Sequence, residues 1–147
     1  MAIIEITHCP YGNAVTVPLP FAETVARTKQ ALKDEGFGVL CEIDVAKTFK
    51  EKIDTDFRPY SILGACNPRL AHRALSAEDD LGLLLPCNLV VAADERGGTR
   101  VSAIDAAAMM RLVGNVLLDP IASEVNERLG RVLQNVADMG TGVPSRG

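Results

Sequence analysis

Between Ala14 and Leu19 the side chains Val15, Val17 and Leu19 alternate with Thr16 and Pro18, which predicts a strand that Pro20 ends. From Phe21 the period lengthens. Phe21, Val25, Thr28 and Leu32 recur at helical spacing, with Glu23, Arg27, Lys29 and Lys33 outside the stripe. Gly36 stops this helix as a left-handed cap would. Gly38 to Asp44 reads as a second strand with Val39, Cys41 and Ile43 on one face, and Asp44 can cap a short helix carrying Val45, Phe49 and Ile53. Its other face, Lys47, Lys50, Glu51 and Lys52, is solvated. Tyr60 to Cys66 is a third strand. Asn67 is a natural N-cap and Pro68 a natural first helical residue, so the next helix runs to about Ala77 with Leu70, Ala71, Ala74 and Leu75 as its buried stripe.

Ser76 to Asp80 reads as an exposed acidic loop, and Leu81 to Leu85 as an apolar run that Pro86 ends. Cys87 to Ala93 carries the strongest strand signal. Glu95-Arg96-Gly97-Gly98 then turns the chain into a return strand, Thr99 to Ile104. Asp105 caps a helix through Leu112 that stops near Gly114-Asn115. Asp119-Pro120 opens the longest helix, with Ile121, Val125, Leu129, Val132, Leu133 and Val136 as its stripe. At the other end of the chain, the short apolar run Ile3 to Ile6 leads into His8-Cys9-Pro10-Tyr11-Gly12, which reads as a turn. Alternating strands and helices suggest a parallel α/β sheet. The short second helix and the final hairpin resist that reading, and pattern alone leaves the topology open.

At 147 residues the chain fits one domain with a core of its own. A net charge of −4, a pI of about 5.1 and 4% aromatic residues speak against a nucleic-acid surface, which needs clustered cations and stacking platforms. No stretch has the length and apolarity of a membrane span, and the N-terminus lacks the features of a signal peptide, so a cytoplasmic location is expected. Cys9, Cys41, Cys66 and Cys87 form no metal-binding or CxxC spacing, and in a reducing compartment they read as free thiols.

The run Leu32-Lys33-Asp34-Glu35-Gly36-Phe37-Gly38-Val39-Leu40, followed by Glu42-Ile43-Asp44-Val45, is similar to the opening of the domain-of-unknown-function 302 family. Phe57-Arg58-Pro59-Tyr60 through Leu63-Gly64-Ala65-Cys66-Asn67-Pro68, and Leu83-Leu84-Leu85-Pro86-Cys87-Asn88-Leu89-Val90-Val91, resemble its other blocks. The resemblance spans Ala14 to Val136; Ala106 stands where family members usually place a proline. It implies an α+β fold, a two-layer sandwich with a curved, mainly antiparallel sheet and helices packed on one face, like half of a TATA-binding protein. It also implies a homodimer. It supplies no reaction, and fold likeness to a DNA-binding protein is no reason to expect DNA binding. The expected organisation is an N-terminal extension over 1–13 with an added strand, a single domain over 14–137 and a flexible tail over 138–147.

Two Cys-Asn pairs, Cys66-Asn67 and Cys87-Asn88, sit where strands meet breaks. A thiol at Cys66 would lie near the start of a helix, where the dipole favours thiolate. The plainer reading is a pair of small buried side chains, with Asn67 and Asn88 as cap and strand-end residues. His72 lies between Arg69 and Arg73, off the apolar stripe, and reads as a surface residue. His8 and Cys9 are adjacent, so on a strand they point to opposite faces and cannot easily ligate together. Met109 and Met110 read as filler and Asp105 as a cap. No nucleotide-binding or hydrolase motif is present, no metal site is expected, and no cofactor is identified. The expectation is a small-ligand-binding or interaction domain whose pocket is lined by Tyr60, Cys66, Asn67, Cys87 and Asn88. The alternative is a thiol-dependent redox or sulfur-transfer protein using Cys66 or Cys87.

Overall fold

A computed structural model describes residues 6–140 and shows every strand pair antiparallel. The chain runs β1 (Thr7–Cys9), β2 (Gly12–Val17), α1 (Phe21–Asp34), β3 (Gly38–Asp44), α2 (Val45–Ile53), β4 (Tyr60–Cys66), α3 (Pro68–Ala77), β5 (Cys87–Ala93), β6 (Thr99–Ile104), α4 (Ala106–Met110) and α5 (Asp119–Gly140). Short 3-10 turns at Asp79–Leu84 and Val116–Leu118 join the later elements. The six strands form one open sheet in the order β1-β2-β6-β5-β4-β3, with helices on one face. This is an α+β architecture.

Period-two alternation decides which residues face the helices. Val15 and Val17 of β2, Leu63 and Ala65 of β4, Cys87, Leu89 and Val91 of β5, and Val101 and Ala103 of β6 are buried in the core. The stripe of α5 behaves as its spacing predicts: Ile121, Val125, Leu129, Val132, Leu133 and Val136 are all buried. On α1 the deepest residues are Thr24, Thr28, Ala31 and Leu32, while Phe21 and Val25 lie at the boundary. Thr24 and Thr28 can be buried because their hydroxyls donate to the Pro20 and Thr24 carbonyls, at 2.9 and 2.7 Å.

Helix ends follow local chemistry. Gly36, at φ +83°, ends α1 in a Schellman arrangement: the Phe37 amide reaches the Leu32 carbonyl and the Gly36 amide that of Lys33. Asp44, Asn67 and Asp105 each accept a backbone N–H as N-caps. α1 and α5 are tied by Arg131, paired with Glu35 at 2.8 Å, and by Arg128, which donates to the Glu35 carbonyl.

Several expectations shift. The segment read as a turn from His8 holds β1, and the turn itself is confined to Pro10-Tyr11 because Cys9 pairs with Gly12. None of Val45, Phe49 and Ile53 is buried, since α2 leans mainly on β3 and β4 rather than on the main helix layer. The acidic stretch 76–80 is partly helical, ending α3 and opening the 3-10 turn that buries Leu81. α5 continues through Gly140, and the rest of the expected tail, like most of the run Ile3 to Ile6, lies outside the described residues.

Candidate functional site

β4 ends at Cys66 because Asn67 turns the chain into α3: its Oδ1 accepts the Leu70 amide at 3.2 Å, and Pro68 fills the first turn. β5 begins at Cys87, directly after the cis Leu85–Pro86 peptide. Ala65 opposes Cys87 across the β4–β5 ladder, so Cys66 and Cys87 lie on neighbouring strands at the same end of the sheet. Both thiols, with Asn67, line a cavity of about 300 Å³. Phe37 and Leu40 close it beside β3, Leu70 and Ala74 on α3, Met110 on α4 and Val125 on α5. Among the described residues, no Asp, Glu, Lys, Arg or His reaches its wall. Leu40 and Leu75 stand at its edge, 69% and 39% exposed.

The thiols differ in environment. Cys66 is half-buried, whereas Cys87 is buried, and neither is in a disulfide. Burial, and secondarily the negative charge that Cys66 would carry, push the Cys87 thiol up from 9.0 to about 11. Cys87 is therefore a neutral, hydrophobic wall of the cavity at physiological pH. Cys41 is exposed. Its Sγ and the Pro86 ring crowd over Gly64, where an added Cβ would lie 2.5 Å from the sulfur and 2.8 Å from Pro86 Cγ. Only glycine fits beneath them without a shift.

Tyr60 and Asn88 are elsewhere. With Val90 and Ala92 they lie on the sheet face away from the helices, lining a groove of about 590 Å³. The structure thus gathers Cys66, Asn67 and Cys87 around one cavity and separates them from Tyr60 and Asn88. Alternation is the cause, because Cys87 and Asn88 are consecutive on β5 and must face opposite sides. Residues that pattern did not single out complete the groove: Arg58, Arg100, Ser102 and Tyr11. The alternation of β6 was the signal that could have found Arg100 and Ser102. Phe57 links α2 to this region through edge-on ring contacts with Phe49 and Tyr60, at 5.1 and 5.8 Å.

The other candidates have structural partners or none of use. His72 is exposed on α3, and His8 contacts the Asn13 side chain. Met110 lines the cavity, while Met109 packs against the core. Asp105 caps α4 and accepts from Asn126 Nδ2 at 2.9 Å, while Asn126 Oδ1 accepts the Ala106 amide. Burial alone would raise its carboxyl. Hydrogen bonds from Asn126, Ala108 and Ala107, with Arg111 nearby, more than offset this and hold it below the usual 3.8. Among the described residues, no three His, Cys, Asp or Glu side chains gather as a metal site. No helix among them is long and apolar enough to cross a membrane.

Comparison with known proteins points to one family. Residues 13–136 match the family model described as "Domain of unknown function DUF302". The chain is also similar to an uncharacterized conserved protein of Bacillus stearothermophilus, solved by crystallography and assigned to the same domain family. The two share 34% identity over 84% of this chain and 95% of that one, with a TM-score of 0.78. No curated protein matches.

Proposed function

The chain belongs to the DUF302 family, whose description leaves function open, and from its own residues we propose that it binds a small, uncharged, apolar ligand in the cavity beside Cys66 and Cys87. The observation that carries this reading is the composition of the wall: apolar side chains, two thiols and one capping amide around about 300 Å³. That volume is at the lower end for small-molecule sites and suits a short or monocyclic body. The Asn67 carboxamide is engaged as the α3 cap through its Oδ1, so the wall offers the ligand an almost wholly apolar surface. A charged ligand would lose its hydration without gaining a counter-ion.

Indole serves as a neutral probe, followed by methyl NMR shifts at Leu70, Ala74 and Val125. Gly82 lines the cavity, and a Cβ added there meets nothing within 4 Å, so Gly82→Phe obstructs the space without disturbing the core. Saturable shifts that vanish in Gly82→Phe are expected. Absence of saturation, or its survival in the variant, refutes the reading.

A second reading, thiol-dependent redox or sulfur transfer, is favoured by the two thiols sharing one wall. The raised Cys87 thiol narrows attack to Cys66. Alkylation at pH 8 should then modify Cys66 before Cys87, and inertness of Cys66 would end that reading. A cytoplasmic homodimer completes the proposal. Leu83, Leu112, Val116 and Leu117 are exposed apolar side chains on segments around α3, available for a second copy to cover. Light scattering behind size-exclusion chromatography tests the mass: a monomer refutes it.

A further inference from the structure

We propose that the groove on the open face of the sheet is a second, separate site, which takes a small organic anion: a carboxylate carried on an apolar or aromatic body. The register sets out its floor and walls. Tyr60 opposes Ala92, Ala92 opposes Arg100, and Arg100 opposes Thr16, so these four residues form one row across β4, β5, β6 and β2. Ala92, with one methyl, lies between two long side chains whose strands are about 9–10 Å apart. This leaves a slot with Tyr60 on one side and Arg100 on the other.

Two guanidiniums serve that slot. Arg58 lies over the Phe57 and Tyr60 rings, its Cζ 4.9 and 5.4 Å from their centroids. Arg100 donates to Ser102 Oγ at 2.6 Å, a bond that directs it along β6. No ion pair joins either guanidinium to a carboxylate among the described residues. Each arginine has five N–H donors, so several remain for a ligand. Ring contacts at Arg58 and a hydroxyl at Arg100 favour these positions, and such contacts lower the entropic cost of clamping an anion.

The groove's remaining residues orient the guest. Asp94 and Glu95 line the hairpin end, next to the Ala92–Arg100 rung, and repel an anion from that side of the arginines. The carboxylate therefore sits between the arginines, and its body lies over Val90 towards Ile104 and Asn88. Asn88 ends the groove with an amide able to meet a polar tail. The site shares no residue with the cavity beside Cys66, so either proposal can fail without the other.

The test uses benzoate, with neutral benzamide as its isosteric control, titrated into the whole chain and followed by backbone amide NMR. Benzoate should produce saturable shifts at Val90, Ala92, Arg100 and Ser102 while benzamide binds at least about tenfold more weakly. Arg58→Gln and Arg100→Gln should each weaken benzoate by about tenfold or more. Both side chains lie on the open face, and unchanged amide spectra of the free variants confirm that they fold. Equal binding of benzamide, no saturation with benzoate, or affinity unchanged in both variants overturns the proposal.

Discussion

The Cys87 thiol makes the fold lose stability at alkaline pH by an amount that can be calculated. Its proton is held from 9.0 up to about 11, chiefly by burial. Below pH 9 the group is neutral in the folded and unfolded chain alike, and its contribution is fully present. Between pH 9 and 11 the unfolded chain releases the proton and the folded one keeps it, so unfolding becomes easier as pH rises. The loss is about 1.4 kcal/mol at pH 10 and about 2.7 kcal/mol above pH 11.

Urea unfolding of wild type and Cys87→Ala at pH 7 and pH 10, under reductant, isolates this effect, because lysines and tyrosines titrate in both proteins and cancel. Wild type should lose about 1.4 kcal/mol more than the variant, a midpoint difference of roughly 0.5–1.4 M urea. Cys66→Ser should reduce the difference only partly, since burial outweighs the Cys66 charge. Equal losses in wild type and Cys87→Ala would refute the reasoning and make Cys87 an ordinary, solvated thiol.

Gly64→Ala should destabilise the fold by about 1–3 kcal/mol in thermal unfolding, because the new Cβ meets Cys41 Sγ and the Pro86 ring. Adding Cys41→Ala should recover only part of the loss, since the proline ring cannot move aside as a thiol can; full recovery, or no loss, would contradict the geometry. Asp105 has its carboxyl held low, so the stability it contributes is present above 3.8 and is lost as pH falls through its folded value. Melting from pH 5 to pH 2 should therefore show a shallower decline in Asp105→Asn than in wild type, and identical slopes would sink the assignment.

The fold was legible where local chemistry and periodicity agree. Asn67 with Pro68, Asp44, Asp105 and Gly36 each end or begin a helix with their own side chain or backbone, and they do so wherever the rest of the chain goes. The order β2-β6-β5-β4-β3 was not readable from pattern, because strand pairing is decided by surfaces distant in sequence; the family resemblance supplied the antiparallel sheet. α2 shows the limit from the other side. Val45, Phe49 and Ile53 have helical spacing, yet the stripe has no deep core to enter because the helix leans on β3 and β4 at the end of the sheet.

The two Cys-Asn pairs look alike in sequence and are unlike in space. Cys66-Asn67 straddles a strand end, where alternation stops and a cap begins, so both residues can border one cavity. Cys87-Asn88 lies within a strand, where consecutive side chains must part. The rule that separates His8 from Cys9 separates these two with equal force. Its consequence is a molecule with two chemically different concavities back to back on β5, one uncharged and walled by thiols, the other carrying two guanidiniums and two carboxylates. Ala65 opposes Cys87 and Gly64 opposes Asn88, so successive rungs of one β4–β5 ladder face the two concavities in turn.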